Sequence, residues 1–512
     1  MVSRRKLLAG AAAATLSSAV PLQTARRPNV IIFLMDDLGC HDLGCLGASD
    51  LKTPNIDRLA SSGVRFTNWY SNAPVCAPAR AALMTGRNPI RAGVPVNGRE
   101  LPPGEKTIAS LLKPAGYATG LVGKWHLGST ADTAPNAHGF DYFYGFHNGC
   151  VDYFSHRYYW GEPKTVNFHD LWRNRDEIFE DGRYLTGRIA EEAAGFVNAH
   201  RSEPFFLYCA FNAVHYPMHA PNKYVERFPD LDRERRMYAA MLSAADDGIG
   251  EILRALDGAG ISDNTLVFFL GDNGATTEAR AGLNQKPATA GNNAPFRGFK
   301  FSLFDGGMHV PGVMSWPGAV PPNQVSSEVV MSADILPTVC KAAGVPLPAD
   351  RTIDGRDILP LAASRAASPH ESIHWANGQQ LAVRRGQWKL VINGIEYGRT
   401  EASRKPLEGD DALFLSNLEE DPGESHNLRH QHPELVDELA GAVHRWRDAA
   451  ASQQVGLTRL RQNCVCRSLA FADRLRWSTC VCQPQGYAGK QRARHNVAKR
   501  HRNLVPQPPL GR

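Results

Sequence analysis

The chain has 512 residues, of which 43% are hydrophobic and 21% charged, so it is globular in composition and long enough to bury a large core in more than one domain. Its formal net charge is +6, but residues 453–512 hold 12 Lys and Arg against one acid, and residues 1–27 hold five against none, which leaves 40 bases and 50 acids in residues 28–452. Because this body is acidic, the overall charge does not indicate a nucleic-acid-binding protein.

Residues 1–27 are typical of an export signal of the twin-arginine type. Arg4 and Arg5 precede a mildly apolar, Ala-rich run that is too short to span a membrane permanently, and no later run reaches about 18 apolar residues. We therefore expect a bacterial protein that is periplasmic or secreted and has no stable membrane span. The twin-arginine export machinery, which transports folded chains, is an expected partner.

Four apolar runs in the body predict strands that are buried on both faces, as in a parallel sheet. Each run ends abruptly in polar residues, and the runs are residues 29–35, 118–123, 205–211 and 265–270. Helical patterns lie between and beside them, at residues 53–62 (with Asn55 as a possible N-cap), 107–113, 184–200 and 235–256. Strands that alternate with helices predict a doubly wound α/β domain with a large mixed or parallel sheet, which we place at residues 28–365.

The pattern changes near residue 365, and residues 366–452 predict a small α+β domain. Residues 381–392 resemble two short strands joined at Gly386, residues 412–416 add another strand, and residues 433–450 form a helical pattern. Residues 453–512 are basic and contain two Cys-Val-Cys clusters, and we expect no stable fold there. These cysteines could bind a soft metal or form disulfides after export, or the segment could be translated sequence beyond the natural end.

Residues 74–86 place Cys76 between two prolines, ahead of a helix-forming run that stops at Gly86. A thiol at a helix N-terminus would have a lowered pKa and could act as a nucleophile. However, a thiolate is a poor neighbour for a hard, oxygen-ligated cation. This mismatch suggests that residue 76 is not a thiol in the working protein.

Oxygen-bearing side chains follow two of the apolar runs: Asp36 and Asp37 after the first, and Asp272 and Asn273 after the last. Ligands bind beyond the carboxyl ends of the strands in sheets of this class. Such pairs commonly cap turns, but two pairs after two buried strands favour a site for Ca²⁺ or Mg²⁺.

Five cationic or titratable side chains are further candidates for this site. Lys124 and His126 come after the second run, His215 after the third, Arg80 after the cysteine, and Lys300 in a Gly-containing stretch. A lone Lys is usually solvated and a lone His is usually a bonded core residue. If these five groups converge beside a metal, they form a site for a multiply charged anion.

The chain resembles the sulfatase family, in its formylglycine-dependent, arylsulfatase-like branch of the alkaline-phosphatase-like superfamily. Residues 74–86 match the first signature of that family around Cys-x-Pro-x-Arg, and residues 116–126 match the second. Met35-Asp-Asp, Gly271-Asp-Asn-Gly and the motif Asp421-Pro-x-Glu-x-x-Asn fit as well, so that the likeness covers about residues 28–450. One departure is His309, which stands where family members usually have arginine.

The resemblance implies a sulfuric-ester hydrolase that acts on a sulfated small molecule or glycan. A maturation enzyme would oxidise Cys76 to formylglycine (3-oxoalanine), whose hydrate attacks sulfur with one hydroxyl and expels sulfate through the other. The implied ligands of Ca²⁺, with Mg²⁺ as an alternative, are Asp36, Asp37, Asp272, Asn273 and the modified Cys76. The other implied roles are orientation of the hydrate by Arg80, neutralisation of sulfate by Lys124 and Lys300, retention of the second hydroxyl by His126, and protonation of the leaving alcohol by His215.

Two other functions stay open at this point. A phosphonate or phosphate ester hydrolase of the same fold would bind an anion of similar shape, and a protein in which Cys76 stays a thiol would be an inactive binder of sulfated glycans. The alcohol could be aryl or carbohydrate. Aromatic and basic residues at 150–160 could line its pocket, or they could be core and rim.

Overall fold

A mixed sheet of ten strands forms the centre of the protein in the computed structural model, which describes residues 27–159, 167–283, 286–398 and 404–453. Numbered in chain order, the strands of these residues are β1 (Asn29–Met35), β2 (Val64–Phe66), β3 (Trp69–Tyr70), β4 (Ala118–Lys124), β5 (Tyr142–Phe146), β6 (Trp172–Arg173), β7 (Asp176–Glu177), β8 (Phe205–Ala210), β9 (Thr265–Gly271), β10 (Gly312–Ser315), β11 (Gln324–Ser326), β12 (Val330–Met331), β13 (Ile373–Asn377), β14 (Gln380–Arg385), β15 (Trp388–Ile392), β16 (Ile395–Glu396), β17 (Lys405–Pro406) and β18 (Leu413–Asn417). The α-helices are α1 (Pro54–Ser61), α2 (Cys76–Thr85), α3 (Ile108–Leu112), α4 (Leu185–Ala199), α5 (Asn222–Val225), α6 (Arg233–Ala259), α7 (Asp305–Met308), α8 (Ile335–Ala343), α9 (Leu359–Ser364) and α10 (Pro433–Ser452).

The strand order of the large sheet is β11-β2-β10-β9-β1-β8-β4-β5-β6-β7. Its central strands β9, β1, β8, β4 and β5 are parallel, and β10 runs antiparallel to β9. In the register of the centre, Ile32 of β1 lies opposite Tyr208 and Phe268. Because these strands are parallel, their carboxyl ends meet at one edge, which is where ligands bind in such sheets.

Helices cover both faces of the large sheet. Side chains alternate along β1, so that Ile31 and Phe33 enter one core while Ile32 and Leu34 enter the other. Helices α1, α4 and α6 contribute to the first core, and α2, α3 and α8 contribute to the second. This explains why the strand sequences are apolar at successive positions rather than at alternate ones.

The predicted fold class is confirmed, since a doubly wound mixed sheet is joined by a smaller antiparallel sheet with a helix. The four apolar runs form β1, β4, β8 and β9, and the four helical patterns form α1, α3, α4 and α6. One capping assignment is wrong: α1 begins at Pro54, after Thr53, so that Asn55 lies inside its first turn. Proline suits the first helical position, and the Asn55 side chain instead donates a hydrogen bond to Asp246 Oδ2 at 2.8 Å.

The smaller sheet has the strand order β13-β14-β15-β18, and all its neighbouring strands are antiparallel. Gly386, at φ 58°, turns the chain between β14 and β15 at the predicted position. One face of this sheet packs on α10 around Leu439 and Val443, and the other face packs on Phe304 and Met308. The boundary placed between residues 365 and 366 stays a prediction.

Several predictions fall outside the described residues. Residues 1–26 of the predicted twin-arginine signal, Trp160 of the aromatic stretch, and both Cys-Val-Cys clusters lie there. Across the ranges that the structure does describe, no helix combines the length and the apolar character that crossing a membrane requires.

Candidate active site

The carboxyl ends of four central strands bring the predicted site residues together. Asp36 and Asp37 follow β1, Lys124 ends β4, His215 follows β8, and Asp272 follows β9. All five are buried, with at most 3% of each residue exposed. The convergence expected from parallel strands is therefore present, although it does not by itself assign a role to any of these residues.

Cys76 is the first residue of α2, and its thiol contacts the carboxylates of Asp36 and Asp37. Its Sγ lies 3.5 Å from Asp36 Oδ1 and 3.9 Å from Asp37 Oδ1. The prediction of a lowered thiol pKa is wrong: burial raises the pKa of Cys76 well above its usual value, and the charges of Lys124 and Lys300 offset this only in part. Residue 76 is thus a neutral thiol that touches carboxylates, which is a poor nucleophile.

Three carboxylates crowd this edge, and their protonation differs. Burial raises the pKa of Asp37 to about 7, with Asp36 and Asp272 adding to the effect and Lys300 opposing it. Burial also acts on Asp36, but Lys124, whose Nζ lies 2.6 Å from Asp36 Oδ2, lowers the pKa of that carboxyl below its usual value. The pKa of Asp272 is raised by burial and by Asp36. The crowding favours a bound cation.

Arg80 fixes one of these carboxylates from behind. Its Nε and Nη2 donate to Asp272 Oδ2 at 3.0 and 2.8 Å, and its Nη1 donates to the carbonyl of Lys124 at 3.2 Å. Both Arg80 and Lys124 are 0% exposed. Arg80 therefore ties the end of β4 to the residue after β9.

Lys300 lies at the centre of the remaining contacts. Its Nζ is 3.0 Å from Asp37 Oδ2, 3.1 Å from Glu278 Oε2 and 3.4 Å from His215 Nε2. Burial would lower the pKa of Lys300, but Asp37, together with Glu278, raises it well above its usual value. Lys300 is therefore a fixed positive charge beside residue 76.

The two predicted histidines are neutral. Burial and then Lys300 lower the pKa of His215 far below its usual value, and its Nδ1 lies 2.7 Å from the carbonyl oxygen of Tyr216. That contact needs the proton on Nδ1, so that Nε2 faces Lys300 as an acceptor. Burial and then Lys124 lower the pKa of His126 in the same way, and among the described residues its Nδ1 has no hydrogen-bond partner.

Glu278 is a site residue that the sequence analysis missed. Burial raises its pKa, but Lys300 outweighs this effect and holds the pKa at about 2, so that Glu278 is ionised beside Lys300. It also lies 3.4 Å from the Tyr216 hydroxyl, which donates to it, and Arg280 Nη2 donates to it at 3.1 Å. The only signal in the sequence was its place in the loop between Asp272 and Lys300, in a polar stretch where acids are usually solvated.

A cleft of about 460 Å³ opens above these groups. Cys76, His126, His215 and Lys300 form part of its wall. The rest of the wall is mostly polar and includes Asn97, Arg99, Glu100, His147, Asn148, Tyr158, Tyr216, Glu278 and Arg280. The cleft is therefore suited to a polar, anionic ligand.

The donor set fits a hard cation. One ligand atom each from Asp36, Asp37, Cys76 and His215 lies within 4.8 Å of the others. Asn273 adds an oxygen: its Nδ2 donates to Asp37 Oδ1 at 2.7 Å, while its buried Oδ1 accepts no hydrogen bond from the described residues. An unpartnered buried oxygen beside crowded carboxylates is what a Ca²⁺ or Mg²⁺ ligand set provides.

The chain matches known proteins over most of its length. A family model described as Sulfatase matches residues 28–345, and one described as N-sulphoglucosamine sulphohydrolase, C-terminal, matches residues 299–448. The N-acetylgalactosamine-6-sulfatase of Rattus norvegicus is 33% identical over 454 residues, which cover 81% of this chain and 83% of the relative. The arylsulfatase of Hemicentrotus pulcherrimus is 34% identical over 446 residues, which cover 78% of each chain. The crystal structure of Ps i-CgsB in complex with k-i-k-neocarrahexaose superposes with a TM-score of 0.73 and 32% identity, over 82% of this chain and 93% of that one.

Proposed function

We propose a mechanism for this chain, which belongs to the sulfatase family and is a sulfuric-ester hydrolase. In this proposal, the protein works with a formylglycine made from Cys76 and with a bound calcium ion. The observation that carries this proposal is the contact of a neutral, buried thiol with Asp36 and Asp37 at the wall of a polar cleft. A thiol there can neither ionise nor suit a hard cation. An aldehyde hydrate in its place supplies a hydroxyl nucleophile and a second hydroxyl through which the sulfate can leave.

The cation would be held by Asp36, Asp37, Asp272, Asn273 and the modified residue 76, and Mg²⁺ would suit the same donors. The fit rests on the Oδ1 of Asn273, which accepts no hydrogen bond from the described residues, and on the burial and crowding that raise the pKa of Asp37 to about 7. When bound, the ion supplies positive charge for the sulfate oxygens.

The chain's own cations complete an anion site. Lys300, which forms part of the cleft wall, is positioned to contact a sulfate oxygen, and Lys124 adds its charge from behind residue 76. Arg80 orients residue 76 by fixing Asp272 and the end of β4. His126 lines the same cleft as residue 76 and would hold the second hydroxyl.

His215 is the proposed general acid for the leaving alcohol. Its Nε2 has no proton while Nδ1 donates to the carbonyl of Tyr216, and Lys300 disfavours a second proton on the ring. A sulfate group that contacts Lys300 would offset that charge and allow Nε2 to take up a proton. His215 would then donate this proton to the alcohol oxygen as the ester bond breaks.

The proposed substrate is the sulfate ester of an aryl or carbohydrate alcohol. The polar wall of the cleft and the similarity to an N-acetylgalactosamine-6-sulfatase support a carbohydrate, and the similarity to an arylsulfatase supports an aryl ester. Twin-arginine export to the periplasm or the medium, and a formylglycine-generating maturation enzyme as partner, belong to the same proposal.

The test combines mass with turnover. In purified protein, the peptide that contains residue 76 is expected to be about 18 Da lighter than its cysteine form, the difference between an aldehyde and a thiol. Cys76→Ala is expected to lower turnover of an aryl sulfate by roughly 10⁴-fold or more, as loss of a covalent nucleophile does. Cys340→Ala, which changes another buried cysteine, is the matched control and should keep full activity.

Three outcomes would contradict this proposal. Full activity of material whose residue 76 is an intact thiol would exclude the aldehyde. Faster turnover of an aryl phosphate diester or a phosphonate ester than of the sulfate would favour the phosphoryl alternative. Binding of sulfated glycans without any turnover would make the protein an inactive binder.

A further inference from the structure

The hairpin of β13 and β14, in the smaller sheet, reaches the backbone that supports the active site. Asn377 ends β13 and Gln380 begins β14, so that both lie at the turn of this hairpin. Their side-chain amides donate to one acceptor, the carbonyl oxygen of Phe301, at 2.9 Å from Asn377 and 3.2 Å from Gln380. Phe301 directly follows Lys300.

The peptide groups on both sides of Phe301 are held between the hairpin and the start of α2. While its carbonyl accepts from the hairpin, its N–H donates to the carbonyl of Pro74 at 2.7 Å, two residues before Cys76. Phe301 also has φ 76°, a left-handed conformation that is unfavourable for a side chain of this size. The hairpin contacts therefore hold a backbone conformation that the segment would not prefer by itself.

Gln380 is well suited to impose this geometry. It is 2% exposed, and both ends of its amide are used, since its Oε1 accepts from the N–H of Ile395 at 2.9 Å while its Nε2 donates to Phe301. A buried amide with both ends bonded has one orientation, so that its donor has a fixed place.

A second contact joins the same hairpin, through Ser71, to Asp272, the residue after β9. The indole N–H of Trp375 in β13 donates to the carbonyl of Ser71 at 2.8 Å, and the Ser71 hydroxyl donates to the carbonyl of Asp272 at 2.6 Å. Trp375 and Ser71 are both 0% exposed. The smaller sheet thus touches the supports of both Lys300 and Asp272.

We propose that Gln380 and Asn377 are positioning residues of the sulfate site, which fix the carbonyl of Phe301 and thereby hold the ammonium group of Lys300 beside residue 76. The proposal rests on the proposed function, in which Lys300 contacts a sulfate oxygen. It gives the smaller sheet a part in the reaction beyond its contribution to stability.

Gln380→Met tests this assignment, because methionine has similar length and no amide. In the matured full-length protein we expect the Kd for inorganic sulfate, measured by calorimetry, to rise about tenfold, as weakening a charge-assisted hydrogen bond by roughly 1.4 kcal/mol would do. The kcat/KM for an aryl sulfate should fall by a similar factor, and part of this loss should appear as a higher KM. A purely structural loss would lower the active fraction, and hence the apparent kcat, but would leave Kd and KM unchanged.

Gln324→Met is the matched control. Gln324 is also a buried strand residue, 7% exposed, and its Nε2 donates to the carbonyls of Pro321 and Ala362, which do not belong to the site. It should lower the midpoint of thermal unfolding much as Gln380→Met does, while sulfate affinity stays within twofold of wild type. If Gln380→Met does not fold, Asn377→Ala replaces it, with an expected rise in Kd of about threefold, roughly 0.7 kcal/mol.

The outcomes separate the two proposals. If the wild-type protein turns over the ester and binds sulfate, but the Kd for sulfate is unchanged in Gln380→Met and Asn377→Ala, the positioning role alone is overturned. An equal loss of sulfate affinity in Gln324→Met would also overturn it. Wild-type protein that neither binds sulfate nor hydrolyses the ester would overturn the proposed function, and the positioning role with it.

Discussion

Two clusters of buried charges, built from similar residues, behave differently in this protein. The first is the acidic group at the sheet edge with Arg80, Lys124 and Lys300. The second, which we call the C-terminal cluster, is defined by Asp305, Lys389, Glu424, Tyr70 and Arg384. In the C-terminal cluster, Lys389 Nζ lies 2.5 Å from Asp305 Oδ1 and 3.0 Å from Glu424 Oε1, and Tyr70 donates to Asp305 Oδ2 at 2.6 Å.

The difference lies in what the charges face. In the C-terminal cluster, one lysine joins two carboxylates from two chain segments, and Lys389 and Glu424 are 0% exposed. At the sheet edge, Lys300 and residue 76 form part of the wall of a 460 Å³ cleft. Burial of charge is therefore a weak indicator of a site, whereas buried charge that faces a cleft is a stronger one.

The largest expected effect is the difference between substitutions of two fully buried lysines, Lys124 at the sheet edge and Lys389 in the C-terminal cluster. Lys124→Met should reduce turnover of an aryl sulfate by about 10²–10³-fold, because it removes charge behind the sulfate site. Lys389→Met should cost about 3–5 kcal/mol of unfolding free energy, since it leaves two buried carboxylates without their cation. Urea unfolding and steady-state kinetics on the folded protein measure the two effects.

The comparison would fail if Lys389→Met reduced kcat as strongly as Lys124→Met does. An exposed lysine provides the reference: Lys341→Met, on α8, should change neither stability nor rate noticeably.

A smaller effect concerns His309, which borders the C-terminal cluster. Its ring stacks on Tyr70, and its Nδ1 lies 3.7 Å from Asp305 Oδ2. Burial lowers the pKa of His309 to about 4, against an unfolded value near 6.5, although Asp305 opposes the shift. The stability that neutral His309 provides is therefore present above about pH 6.5 and is lost as the pH falls toward 4, by up to about 3 kcal/mol.

His309→Gln checks this dependence, because glutamine keeps an N–H donor and does not titrate. We expect the unfolding free energy of wild type to fall more steeply between pH 6.5 and pH 4 than that of the variant. Equal slopes in the two proteins would show that His309 does not carry the effect.

The smallest expected effect is the stabilisation by calcium, which should act on one cluster only. At 100 times its Kd, Ca²⁺ should raise the unfolding free energy by about 2.7 kcal/mol, and chelation should remove this gain. Asp37→Asn should lose most of the response, whereas Glu424→Gln, which changes an acid of the C-terminal cluster, should keep it. A thermal shift of equal size in Asp37→Asn would place the ion elsewhere.

Much of this architecture could be predicted because its signals are local. The apolar runs that form β1, β4, β8 and β9 are continuous in sequence, and the residues after them lie at the same edge because the strands are parallel. The helix that starts at Cys76 and stops at Gly86 likewise follows from proline and glycine preferences.

The remainder depends on contacts between distant segments. The pKa of Cys76 follows from burial, which outweighs the helix terminus that the sequence makes visible. Glu278 is held in the site by Lys300 and Tyr216, and Gln380 contacts Phe301 across 79 positions of the chain. No periodicity or motif in one sequence encodes such pairings.

The burial of residue 76 has a consequence for any preparation of this enzyme. Cys76 is 1% exposed, so that a modifying enzyme has no access to its side chain once α2 has packed. Under the proposed function, each molecule becomes catalytically active or inactive before it finishes folding, and later exposure to the modifying enzyme cannot convert an inactive molecule. A sample would then be a permanent mixture of two species, and its specific activity would record the conditions in the cell that made it.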